Sequence, residues 1–203
     1  MRTRLFILSC AALMVASWSF AQANNAQSGV KKKPETIEQR KQNQQDRVAN
    51  GVKSGQLTAG ETKRVEQRQA NINQNERQMR AADSGKLTAA DRSKLDREQE
   101  RASKQIYDDK HNAKTATYGN NQVGQRRENQ QERLAQGIKS GQITPGGAAK
   151  QEGREQALNH QVSADRQANG GKLTAGQRQS VNQQQNKQSQ EIHNEKHNAA
   201  TGH

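Results

Sequence analysis

Apolar residues along this chain fall into one continuous run and many isolated single positions. The run, Leu5 to Phe20, follows Arg2 and Arg4 and is closed by Ala21-Gln22-Ala23. A basic start, an apolar middle and a small-residue end form the pattern of a secretory signal peptide cleaved after Ala23. Beyond it the apolar positions stand alone at helical spacing. Val65, Ile72 and Met79 recur every seven residues, and Leu95, Ala102 and Ile106 follow helical spacing. Such spacing predicts helices with a narrow apolar stripe on an otherwise polar surface.

Punctuation between the stripes sets the helix ends. Ser54-Gly55-Gln56-Leu57-Thr58 recurs as Ser84-Gly85-Lys86-Leu87-Thr88. The glycine suits the left-handed position after a helix, and the threonine suits the cap that opens the next one. Thr58 with Glu61 has the capping-box spacing, Thr88 with Asp91 and Thr174 with Gln177 are variants of it, and Thr144-Pro145 puts proline at the first helical position. Helices are predicted near 36–53, 58–81, 88–112, 122–139, 144–167 and 174–199.

A shift of 86 residues aligns Ile37–Ala113 with Val123–Ala199 without a gap, and roughly 32 of the 77 positions are identical. Apolar positions pair throughout, among them Val48 with Leu134, Val52 with Ile138, Leu87 with Leu173 and Ile106 with Ile192. Sparse apolar residues held in register are what a folded repeat needs. The expected organisation is a signal peptide (1–23), a flexible basic arm (24–35) and a first three-helix repeat (36–113). A linker (114–121), a second three-helix repeat (122–199) and a tail (200–203) follow. The fold class is all-α, as two tandem three-helix antiparallel units, with the second expected to be less stable because Gly146, Gly147 and Gly153 enter its middle helix.

Composition changes this picture in two ways. After the signal peptide, Leu, Ile and Val together number only 19, so no large core can form, and composition taken alone would favour disorder. Cys10 leaves with the signal, which excludes disulfides, thiolate metal sites and cysteine nucleophiles in the mature chain, and its only aromatics are Tyr107 and Tyr118. The net charge of +13 favours anionic partners. Acids interleave with the bases along most helices, and two tyrosines cannot build a base-stacking platform, so no sequence-specific nucleic-acid reader is expected.

The capped turns carry three resemblances. Gly55, Leu57, Thr58 and Glu61 resemble the second half of an EF-hand loop, as do Gly85, Leu87, Thr88 and Asp91. That resemblance implies calcium, but the first ligand positions hold Asn50, Val52 and Ser54 in one loop and Arg80, Ala82 and Ser84 in the next. The later loops close with Gly147 and Gln177. A degenerate EF-hand-like unit with weak or no calcium binding is therefore expected. Leu173-Thr174-Ala175-Gly176-Gln177 resembles the Leu-Thr-x-x-Gln motif of periplasmic chaperones of the Spy and CpxP type, which implies an exported helical protein that holds unfolded clients without ATP. The Ser-Gly-x-Leu-Thr-x-x-Glu segments also resemble helical-repeat proteins secreted by bacteria.

No catalytic residue, cofactor site or metal site is assigned from the sequence. His193 and His197, spaced i, i+4, read as surface histidines, and no Ser, His and acid stand in triad order. Lys53, Lys86, Lys139 and Lys172, in or beside the repeated turns, are the candidates for a basic surface. The expectation is an exported, non-enzymatic protein without a transmembrane segment, periplasmic or secreted, acting by surface contacts. Its expected partner is an anionic envelope polymer, an acidic protein or an unfolded client.

Overall fold

The computed structural model describes residues 35–198. The segment read as a signal peptide, all but the last residue of the basic arm, and the tail from residue 199 on lie outside the described residues. Six helices and no strand occur among the described residues: α1 (Ile37–Lys53), α2 (Ala59–Ala82), α3 (Ala89–Lys110), α4 (Gln122–Lys139), α5 (Pro145–Ala168) and α6 (Ala175–Asn198). No helix among the described residues is long and apolar enough to cross a membrane.

Threonine and glycine chemistry fixes the helix ends. Thr36, Thr58 and Thr88 each form a complete capping box, with Gln39, Glu61 and Asp91 respectively. Thr144 Oγ1 accepts from the Gly147 backbone N–H at 3.2 Å. Thr174 and Gln177 bond each other at 2.8 and 3.3 Å. Each cap satisfies helix-start donors that would otherwise lack partners and is worth about 1 kcal/mol. Gly55 sits at φ +71° and ends the α1 turn in a conformation that a Cβ would strain.

Helices from the two repeats pack on each other more extensively than helices within either repeat: α2 lies against α5, and α1 against α4. Both pairs run antiparallel. A Cβ built on Gly60 would face Gln156 and one built on Gly153 would face Lys63, which fixes the α2–α5 register. Lys53 lies 4.0 Å from Glu132, and Gln42 reaches the Lys139 carbonyl at 3.5 Å, which fixes that of α1 and α4. The largest apolar cluster accordingly draws Val48, Val52, Leu57, Val65 and Ile106 from one repeat and Leu134, Ile138, Ile143, Ala148 and Ile192 from the other. Two smaller clusters flank it, one per repeat: Ile72, Leu87, Leu95 and Ala102, and Val123, Leu158, Leu173 and Val181. The central core is thus common property of both copies.

Glutamine fills what the apolar residues cannot. Gln44 donates to the backbone carbonyl of Gln99 at 2.7 Å, and Gln99 to that of Ile37 at 3.0 Å. Eighty-six residues on, Gln130 donates to the Gln185 carbonyl at 2.7 Å and Gln185 to that of Val123 at 3.0 Å. Arg47 and Arg133 likewise both reach the hydroxyl of their third-helix serine, Ser103 and Ser189. The duplication of these bonds lets α3 and α6 dock in the same way on α1 and α4.

Close approach at Gly51 and Gly137 seats the first loop of each repeat. Leu57 N–H donates to the Gly51 carbonyl, and Ile143 N–H to that of Gly137, both at 3.0 Å. A Cβ on Gly51 would stand 2.7 Å from the Leu57 side chain, and one on Gly137 would run into Ile143. Gly146, near the start of α5, has open space around it. Gly137→Ala is therefore expected to lower stability by about 1–3 kcal/mol, whereas Gly146→Ala should be neutral or add up to about 1 kcal/mol. Urea unfolding followed by circular dichroism measures both.

Candidate functional site

The four lysines singled out from the sequence are all exposed. Lys53 ends α1 and faces Glu132 of α4, while Lys139 ends α4. Lys86 and Lys172 lie on the turns that follow α2 and α5. Those helices run antiparallel and cross near Val65 and Gln151, so the two turns point away from the crossing in opposite directions, each about 25 Å along its helix. The structure brings Lys53 and Lys139 to the α1–α4 pair and leaves Lys86 and Lys172 at opposite ends.

At the loop position where an EF-hand would close on calcium, Glu61 is occupied by capping. One carboxylate oxygen accepts from the Thr58 backbone N–H and hydroxyl at 3.0 and 2.7 Å, and the other accepts from Asn112 at 2.8 Å. His193 and His197 stand with ring centroids 4.2 Å apart on the exposed side of α6. No group of three His, Cys, Asp or Glu side chains placed to hold a metal occurs among the described residues.

A basic surface lies instead along α2. Its outer ridge separates two grooves, one toward α5 of about 490 Å³ and one toward α3 of about 450 Å³, and Gln67 and Asn71 line both. Lys63, Lys150 and Arg154 line the first groove, and Arg64, Arg68 and Arg101 the second, against a single carboxylate, Glu98. Some of this charge is committed. Arg154 pairs with Glu191, Arg64 lies 3.8 Å from Asp109, and Arg68 donates to Gln105 at 2.7 Å. Lys63, Arg101 and Lys150 have no acidic partner among the described residues. The remaining lining is amide, alanine, glycine and Ile72, with no aromatic side chain.

A larger cleft of about 640 Å³ opens where the chain between α3 and α4 passes the start of α2 and returns to α4. The Ala116 backbone N–H donates to the Gly55 carbonyl at 2.8 Å and pins this strap to the α1–α2 turn. Inside, Arg127 Nε donates to Glu155 at 2.5 Å, with Glu155 only 1 % exposed. Tyr118 closes over the guanidinium at 5.3 Å from its ring centroid. Burial, together with the negative charges of Glu152 and Glu155, drives the Tyr118 phenol far above its ordinary value.

Behind this cleft three carboxyl groups share the α2–α5 interior. Glu66 accepts from Gln45 at 3.2 Å, and its counterpart Glu152 accepts from Gln131 at 3.3 Å. One oxygen of each of Glu66, Glu152 and Glu155 has no partner among the described residues. Burial raises the Glu66 carboxyl to about 8. Burial, and then the charges of Glu155 and Glu66, raise Glu152 to about 8 as well. At neutral pH both are held as neutral acids, which can donate to the unpartnered oxygens around them. None of these groups stands out in the sequence, where each is one more acid or base in a polar helix. The i, i+3 and i, i+4 spacing of Lys63, Arg64, Gln67, Arg68 and Asn71, a face apart from the Val65–Ile72 stripe, is the signal that marks the α2 ridge.

No protein-family model matches the chain, and neither a curated protein nor a solved structure matches it.

The buried acids set a pH dependence with a defined sign. Between about pH 4.5 and 8 the folded protein keeps protons that the unfolded chain has released, so stability falls as pH rises through that window, by up to about 1.4 kcal/mol per pH unit for each group. Glu66→Gln and Glu152→Gln are expected to raise the thermal midpoint at pH 8 and to change it little at pH 4.5. At the acid end the sign reverses. Burial pushes Glu61 and Glu76 upward, but hydrogen bonds from Thr58 to Glu61 and from Arg80 and Lys41 to Glu76 outweigh it and hold both below the ordinary range. Their contribution is lost as pH falls below that range. Thermal melts from pH 2 to 9 read both limbs.

Proposed function

We propose that this chain is an exported, non-enzymatic helical protein that binds an anionic polymer of the cell envelope through the basic, amide-rich face of α2. The observation that carries the proposal is the pair of grooves along one helix, with six cationic side chains against one carboxylate. Alternating acids and bases, as on most of this molecule, cancel beyond about a Debye length, whereas a face on which one sign predominates attracts a polyanion from solution. Gln67 and Asn71 add amide donors on the same face. The lack of aromatic residues there favours charge and hydrogen bonding over ring stacking. Export rests on the leader pattern of residues 1–23.

Titration of the mature protein with labelled dextran sulfate and with polygalacturonate tests this reading. Binding should weaken steeply between 0.05 and 0.3 M salt, salt levels chosen to span roughly a twofold change in screening length. The triple variant Lys63→Gln, Arg101→Gln, Lys150→Gln should lose about tenfold in affinity, on the order of 0.5 kcal/mol for each exposed cation. Replacing Lys53, Lys86, Lys139 and Lys172 by Gln should cost less. Equal losses in the two variants would move the site off α2. Suppression of client aggregation without polyanion binding would replace this reading with the holdase one.

A further inference from the structure

The two repeats supply an internal control for the cleft beside Arg127. Position for position, Arg127 corresponds to Lys41, Glu155 to Gln69, Val162 to Glu76 and Arg166 to Arg80. In the first repeat one acid pairs with both cations: Glu76 takes Lys41 at 3.1 Å and Arg80 at 2.8 Å. In the second repeat that acid is Val162, buried in the cleft wall. Arg127 turns to Glu155 through its Nε, and its two Nη atoms and the whole guanidinium of Arg166 have no carboxylate partner among the described residues. Each copy thus holds two cations and one acid at these positions, but in the first the acid lies between both cations, whereas in the second it holds Arg127 alone and leaves the charge of Arg166 unpaired among the described residues. The cleft lies where that charge is.

The remaining lining describes the ligand. Ser163 and Gln167 offer hydroxyl and amide groups, and Asn159 brings a buried side-chain oxygen without a donor among the described residues. A volume of about 640 Å³ falls within the usual range for small-molecule sites. The pinned strap from Thr115 to Tyr118 forms one wall, and Glu155, itself almost fully buried, fixes the position of Arg127. We propose that this cleft binds a small sugar bearing a single anionic group, carboxylate or phosphate, with the anion at Arg127 and Arg166 and the hydroxyls toward Asn159 and its neighbours. The site is separate from the α2 surface and does not rest on it.

Calorimetric titration of the mature protein with glucuronate, glucose 6-phosphate and glucose tests the proposal. At least one of the two anionic sugars should bind, and which one does tells a carboxylate site from a phosphate site. Glucose should bind at least ten times more weakly than that anion. Arg166→Gln removes a side chain with no acidic partner among the described residues, so its expected tenfold or greater loss reads the site and not the fold. Val162→Glu restores the acid found in the first repeat and should abolish binding while leaving helicity and dextran sulfate binding unchanged. Glu76→Gln, in the other copy, should leave sugar affinity as it is. Equal binding of glucose and the anions, binding that survives both Arg166→Gln and Val162→Glu, or no binding of either anion would overturn the proposal.

Discussion

Shortage of apolar matter is the constraint that shapes this structure, and the side-chain amide of glutamine is how the chain meets it. A helix normally finds its neighbour by burying an apolar stripe, at about 25 cal/mol for each Å² removed from water. Here the stripe is one residue wide, and Gln44, Gln99, Gln130 and Gln185 complete the interior by donating to backbone carbonyls on the facing helix or at its start. Each such bond contributes only about 1 kcal/mol net, but loss of one partner leaves a buried polar group that costs about 1–3 kcal/mol. The oxygens of Gln99, Gln130 and Gln185 already lack a donor among the described residues. An interior of this kind specifies register more strongly than it stabilises, because a shifted helix would strand every amide at once.

The same polar interior makes room for titratable groups. Glu66 and Glu152 sit where a leaner design would place leucine, and they stay in place because a neutral carboxylic acid is hardly worse there than another glutamine. Their proximity across the α2–α5 contact follows from the antiparallel pairing, which brings equivalent positions of the two copies toward each other. Arg127 is the cation that balances this region, and Glu155 holds it. The acid pair and the cleft therefore belong to one electrostatic unit, with Gln131 bridging from Glu152 to the cleft wall.

How much of this the sequence discloses depends on the range of the interaction. Helix ends are legible because a threonine cap or a left-handed glycine acts within four residues, and the boundaries at Lys53, Ala82 and Lys139 lie where that punctuation puts them. The partner of each stripe is not legible: Val48 and Val52 would pack equally well against a helix of their own repeat, and nothing local tells that Leu134 and Ile138 meet them. Buried glutamines look like surface glutamines in a chain where a quarter of the residues are amides. Lys63 and Lys150 belong to one surface only once α2 and α5 are paired. The exchange of Glu76 for Val162, by contrast, is visible in the alignment of the chain with itself, but its meaning depends on knowing that Lys41 and Arg80 both point at that side chain.

The pairing of α1 with α4 and of α2 with α5 gives the duplicated sequence an approximate twofold axis that runs through the middle of the core. A half-length ancestor holding one copy would have carried the Val48–Val52–Val65 surface uncovered, and a second identical chain would have been its natural complement, since a twofold contact is self-complementary. Fusion of two such chains makes that dimer permanent and frees it from concentration. It also ends the obligation of the two halves to stay identical: each side of the axis can then change without its twin, and Glu76 and Val162 are one place where the halves have parted.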